Sequence, residues 1–391
     1  MKIFRTLPTS RLIALLVAIA AVLVAGVVAV AARGGSGSTP PPKPLAQAIH
    51  DALGATEPAG VTARISFTNK LFPSGALTGQ AGSALMSGAT GRLWANANGG
   101  RLELQSDAGD AQIVWNDTKV TVYDASSNTA YTADLPQKQG TAGTTAHAAP
   151  TLDEITTFLT ELGKNWTVSS AEPSNVAGQE SYTVTVSPSH DGGLLGSAQL
   201  AWDVTHGTPL KIAVYAQGSS SPVLALEATQ ISFGSVPDSD IAVPPPAGAQ
   251  IVDLSSQAGS GNSGGGSTAP VTGLAAVQAA APFAVVAPDT LVGLPRRDVR
   301  LVGPADSRSV LVVYGQGLGA IVVVERKPDA AKAGQAGMLD ALPSISLDGV
   351  TAHELATQLG TVLGWDRGGV SYVLAGSIPT SAAESAARAL K

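Results

Sequence analysis

Three patterns of hydrophobicity run along this chain. In the first, residues 12–32 are apolar at every position, roughly 21 residues or about 31 Å of helix, which matches a hydrocarbon core. The second has a helical period. Leu45, Ile49 and Leu53 recur every four residues and predict a helix over 44–53. Leu152, Ile155, Phe158, Leu159 and Leu162 predict another over 152–162. Thr151 and Glu154 are spaced as its capping box, and Gly163 is its stop.

The third pattern has period two. VTARISFT (61–68), GRLWAN (91–96), GRLELQSD (100–107), AQIVW (111–115), KVTVYD (119–124) and NTAYTA (128–133) alternate and predict short strands. Beyond a loop at 140–150 come NWTVSSAE, ESYTVTVSP, SAQLAWDV, PLKIAVYAQ and PVLALEATQISF. Asn116-Asp117, 125–127 and THGTP (205–209) carry turn chemistry. Strands every ~8–12 residues predict an antiparallel meander of about ten, with one helix before it and one between its halves. Nearer the C-terminus, RSVLVVYG, GAIVVVERK, SISLDG and GVSYVLAG predict strands, the first pair joined by a turn at 315–319. Thr351/Glu354 and Ser381/Glu384 are spaced as capping boxes. They predict a helix carrying Leu355, Leu359, Val362 and Leu363, and a terminal helix reaching Leu390.

The composition shifts divide the chain into five segments: an apolar anchor (1–33), a Gly/Pro tether (34–44), a main domain (45–254), a Gly/Ser linker (255–270) and a C-terminal domain (271–391). The fold class is α+β: a transmembrane helix, a curved antiparallel sheet with a helical lid, and a small α+β domain. Lys2, Arg5 and Arg11 precede the apolar run, which places that end in the cytoplasm and both domains outside the cell membrane as a single-pass protein. The run is longer than the ~7–15 apolar residues of a signal peptide, which favours an uncleaved anchor. AVA at 29–31 keeps cleavage, and secretion, open as the alternative.

A long twisted antiparallel sheet curls, and two helices are few to cover it. Either a closed core or an incompletely capped apolar hollow satisfies the pattern. The hollow suits an acyl chain. The positions chosen to line it are Ile65, Leu93, Leu104, Ile113, Val122 and Leu200 on strands, with Ile155, Phe158 and Leu159 from the lid helix.

Composition removes most chemistry. With no cysteine there is no disulfide, thiolate nucleophile, Cys-zinc site, iron–sulfur cluster or acylated lipoprotein cysteine. Net charge is −6 without a basic run outside the N-terminus, which argues against nucleic acid as a partner. HELAT (353–357) lacks the second His of a zinc helix. GNSGG (261–265) matches a nucleophile elbow only in letters, because it sits in the linker. GQGLG (315–319) lies between two strands and reads as a turn. No carboxylate pair stands out as acid and base. The expectation is a protein without catalytic residues, metal or cofactor.

IVWNDTKVTVYDASSNTAYTADLP (113–136) resembles the strand-turn-strand signature of the outer-membrane lipoprotein-sorting (LolA-like) family. VAGQESYTVTVSP, AQLAWDVTHGTPLKIAVYA and ISFGSVPDSDIAVPPPAGAQIVDL continue it over 44–254. The likeness extends to sigma-factor regulators of the MucB/RseB kind. It implies an open, curved half-barrel lidded by helices, with an apolar cavity for acyl chains. The end of the chain, GWDRGGVSYVLAGSIPTSAAESAARAL, resembles a small domain appended to such proteins in actinobacteria, and the Ala/Gly-rich, Lys-poor composition agrees with that source. Two departures matter. The lipoprotein cysteine of acylated relatives is missing, and a tethered chain cannot ferry cargo far.

The expected function is therefore non-catalytic binding of an acyl lipid or lipoprotein outside the membrane. Burying about 16 carbons at ~0.8 kcal/mol per CH₂ gives on the order of 10 kcal/mol before entropic costs. The alternative is a sensor whose partner is an anti-sigma factor or another envelope protein.

Overall fold

The period-two stretches pair edge to edge into two large sheets. The computed structural model describes residues 38–71, 84–135, 150–190, 192–255, 271–303, 308–328 and 342–391. The apolar run at 12–32 and nearly all of 255–270 lie outside them. Among the described residues no helix is long and apolar enough to cross a membrane.

The first sheet contains β1 (Val61–Asn69), β2 (Ala89–Asn96), β3 (Gly99–Ser106), β4 (Gly109–Asn116), β5 (Lys119–Asp124), β6 (Thr129–Asp134), β7 (Trp166–Val168), β8 (Glu172–Val176), β9 (Gln179–Pro188), β10 (Leu195–Asp203), β11 (Pro209–Ala216), β12 (Pro222–Phe233) and β13 (Gln250–Asp253). Their order is β13-β6-β5-β4-β3-β2-β1-β12-β11-β10-β9-β7, with β8 on β9. Two meanders meet at the antiparallel β1–β12 pair, Val61 opposite Phe233. β13 joins β6 in parallel. Among the described residues thirteen strands stand where about ten were expected. The sequence pattern did not mark β13, and it merged β8 into the stretch before it.

Helix α1 (Leu45–Leu53) buries Ala48 against Tyr182 and Trp202, while Leu53 at its end is exposed. The single turn α2 (Ala84–Ser87) buries Ala84 against Ala63, Ile65 and Leu104. Helix α3 (Leu152–Leu162) forms its capping box as predicted: Thr151 N–H donates to Glu154 Oε2 at 2.8 Å, and Glu154 N–H donates to Thr151 Oγ1 at 3.3 Å. A short α4 (Asp238–Ile241) follows β12.

The second sheet holds β14 (Thr290–Leu291), β15 (Leu294–Val302), β16 (Ser309–Tyr314), β17 (Ile321–Arg326), β18 (Ser344–Leu347), β19 (Val350–Thr357), β20 (Gly360–Arg367) and β21 (Val370–Gly376). Helices α5 (Leu274–Ala280) and α6 (Thr380–Ala389) accompany it, and Ala383, Ala386, Ala387 and Leu390 join its core. The described residues are mostly β, with few helices.

Two C-terminal expectations are corrected. The helix predicted to carry Leu355, Leu359, Val362 and Leu363 is the β19–β20 hairpin. Gly360 and Gly364 weaken a helix there, and the β-branched Thr and Val residues favour strands. Thr357 Oγ1 accepts from the N–H of Leu359 and of Gly360, which fixes the turn. His353 and Glu354 therefore point to opposite faces of a strand. At the terminal helix, Ser381 lies inside α6 and Pro379 is the N-cap, without a side-chain cap; Glu384 pairs instead with Arg388 at 2.7 Å.

Candidate functional site

Register defines one apolar face across the first sheet. Ile231, Ala63, Leu93, Leu102, Ile113 and Val122 stand in a single row from β12 to β5, and Tyr131 on β6 extends it. Beside it, Ile65 and Leu104 face each other across Gly91, which leaves room for both. On the other meander Leu226, Ile212, Leu200 and Val184 form a second row. The reverse face is polar: Gln230, Arg64, Arg92, Glu103 and Gln112 make the adjacent row.

The apolar face is the concave one. A cavity of about 80 Å³ is lined by both Leu210 of β11 and Leu102 of β3. Those strands are four places apart, about 19 Å if the sheet were flat. Only a strongly curled sheet brings them to one hollow. Among its lining residues, Thr208 has a buried hydroxyl with no hydrogen-bond partner among the described residues.

The structure thus places all six strand positions singled out from the sequence on this face. Ile65 and Leu104 are buried; Leu93, Ile113, Val122 and Leu200 are half-buried. Leu102, Ile231 and Ile212 belong with them and were missed, although the same alternation marks them. The lid differs from expectation. α1 and α2 sit on the apolar face, whereas α3 packs on α1. Ile155 is buried, Leu159 half-buried, and Phe158 is 62% exposed. An apolar helix face covers whatever lies nearest, and for α3 that is α1, whose own Ala48 packs on Tyr182 and Trp202 of the sheet.

A network at the β10–β11 turn holds α1 in place. Asp203 is buried, and Oδ2 accepts from the N–H of Thr205 at 3.0 Å and of His206 at 2.8 Å, while Oδ1 accepts from Thr208 N–H at 2.8 Å. His206 packs on Phe233, ring centres 4.0 Å apart. Gly207 (φ 68°) lies against the carbonyl of Ala52, so no side chain fits between turn and helix. At the helix start, Lys43 pairs with Asp51 at 2.5 Å, and this hydrogen bond holds the Asp51 carboxyl below its usual range. Among the described residues, no group of three or more His, Asp or Glu is placed to hold a metal ion.

The fold and site define an open, curled sheet with a greasy interior and a polar back. No protein-family model matches the chain, and no curated protein does. Solved structures similar to it include MucB in complex with MucA(peri), 16% identical, covering 89% of this chain and 96% of that one with a TM-score of 0.40. MucB alone is 15% identical over 88% and 96%, with a TM-score of 0.33. The LolA superfamily protein NE2245 from Nitrosomonas europaea is 9% identical over 51% of this chain and 98% of that one, with a TM-score of 0.22. A MucB and a LolA superfamily protein are thus both among the solved structures similar to this chain.

Proposed function

We propose that this chain is a non-catalytic envelope protein that binds the acyl part of a lipid or lipoprotein along the concave face of its first sheet. One observation carries the reading: the row from Ile231 to Val122 is apolar at every strand, yet Leu93, Leu102, Ile113 and Val122 are only half-buried. The cavity, about 80 Å³, has room for a few carbons, not a whole chain. The ligand lies along the trough, with one end reaching the cavity and the Thr208 hydroxyl. Burial at ~0.8 kcal/mol per CH₂ supplies the affinity, and no residue acts as acid, base or nucleophile. The apolar run at 12–32 holds the domains beside the outer leaflet of the cell membrane.

Native mass spectrometry of protein purified from its host tests this. A co-purifying lipid mass supports it, and a clean apo mass that also fails to take up added fatty acid contradicts it.

A second reading, a sensor with an envelope protein partner, is favoured by the junction of the two sheets. Leu194 N–H bonds Ser377 there, beside a cleft of about 430 Å³. Under that reading the partner enters the cleft.

A further inference from the structure

The polar back of the first sheet carries two facing arginines. Arg64 on β1 stands directly opposite Arg92 on β2. Like charges placed directly opposite on antiparallel strands repel, their Cβ atoms lying about 5 Å apart. Both side chains are exposed, and among the described residues neither makes a hydrogen bond or ion pair. Glu103 stands opposite Arg92 on the other side but is taken by Arg101 at 2.5 Å. Glu227 is likewise taken, by Lys211 at 3.1 Å. The local balance is therefore two unmatched positive charges, in a chain whose net charge is −6.

Around this pair the surface is shaped. Arg64, Arg92, Trp94 and Gln230 line a groove of about 440 Å³, together with the bonded hydroxyls of Thr62 and Ser232 at 2.7 Å. A bulge opens its floor. The β1–β12 register shifts between Arg64 and Ile65, leaving Thr229 as the extra residue, and its hydroxyl bonds the Arg64 carbonyl at 3.2 Å. Trp94 is steadied by Arg101 over its ring, 4.4 Å from the centre.

We propose that this groove binds a phosphate-bearing ligand, gripped between the guanidinium groups of Arg64 and Arg92. Two guanidinium forks match the several oxygens and the near −2 charge of a phosphate monoester better than a single carboxylate. Trp94 gives the attached organic group an apolar flank. By strand parity the two arginines stand on the face opposite the trough, while the groove shares Ala63, Leu93 and Ile231 with the trough row.

Calorimetric titration of the full chain with glycerol 3-phosphate at low salt tests it, with acetate as competitor and with vesicles of phosphatidylcholine containing or lacking phosphatidic acid, a lipid phosphate monoester, as a separate arm. We expect one saturable site, an affinity about tenfold or more lower in the double variant Arg64→Gln/Arg92→Gln, and weak competition by acetate. The double variant keeps its fold, because both positions are exposed and the repulsion is removed; its Tm in the absence of ligand serves as the check. Arginine-dependent binding of the free ester assigns a soluble phosphate ester. Arginine-dependent binding confined to the vesicles that contain phosphatidic acid assigns a lipid headgroup. Absence of both, unchanged affinity in the double variant, or equal competition by acetate overturns the proposal.

Discussion

Asp203 accepts from the backbone N–H of His206, and its Oδ2 lies 3.0 Å from the His206 ring Nδ1, so one buried carboxylate ties together the turn that supports α1. Hydrogen bonds to a charged, buried acceptor are each worth about 1.5–3 kcal/mol. Asp203→Ala leaves several N–H groups unmet. We expect it to cost about 3 kcal/mol or more in denaturant unfolding. Asp203→Asn keeps part of the network and costs less. Equal, small losses for both would show that the turn does not depend on the carboxylate.

The second sheet contains a buried acid. Glu325 is fully buried, opposite Tyr372 on β21 and close to Tyr314. Oε2 accepts from Val286 N–H at 3.0 Å, whereas Oε1 has no partner among the described residues. Burial pushes this carboxyl from 4.5 up to about 7. Between those values the folded state holds a proton that the unfolded state releases, so stability falls as pH rises from 4.5 to 7 and is flat above. The expected loss is roughly 3 kcal/mol. Glu325→Gln removes this slope, which pH-dependent urea unfolding of the two chains compares.

Gly100 faces Trp115 across the β3–β4 pair, and the indole covers the glycine so closely that a Cβ would overlap it. Gly100→Val therefore expels Trp115 from the core, where it is 8% exposed. A loss of about 2–3 kcal/mol and a red shift of tryptophan emission are expected.

Alternation gave the strands and, by parity alone, placed Leu93, Ile113 and Val122 on one face. PVLALEATQISF is β12 residue for residue, and α3 runs between the Thr151 cap and Gly163 as expected. Pairing over distance was not legible. Nothing local tells that β1 meets β12, or that this pairing, not a hairpin, joins the meanders. Segment 351–363 misled because Leu355, Leu359 and Leu363 keep a helical spacing by accident, while Gly360 and neighbouring strands on both sides decide for β. LPRRDVRLV was passed over because its charges hide the alternation, and pairing with β16 makes it a strand nonetheless. Phe158 failed as a lid residue for a tertiary reason: α1 takes the place over the sheet.

If the trough is the binding surface, a charge in its half-buried middle blocks the ligand without unfolding the sheet. Val122→Asp on β5 is expected to lower fatty-acid affinity about tenfold, and Thr121→Asp, next to it on the polar face, to leave it unchanged. Equal effects of the two would point to general electrostatic repulsion instead.

The most direct measurement is a fluorescence titration of the full chain with an environment-sensitive fatty acid, run beside Ile113→Glu. Saturable binding at about one ligand per chain, weakened roughly tenfold or more in the variant whose Tm stays close to that of the original, is the predicted result. No uptake by the original chain, or uptake that Ile113→Glu leaves unchanged, would contradict acyl binding in the trough.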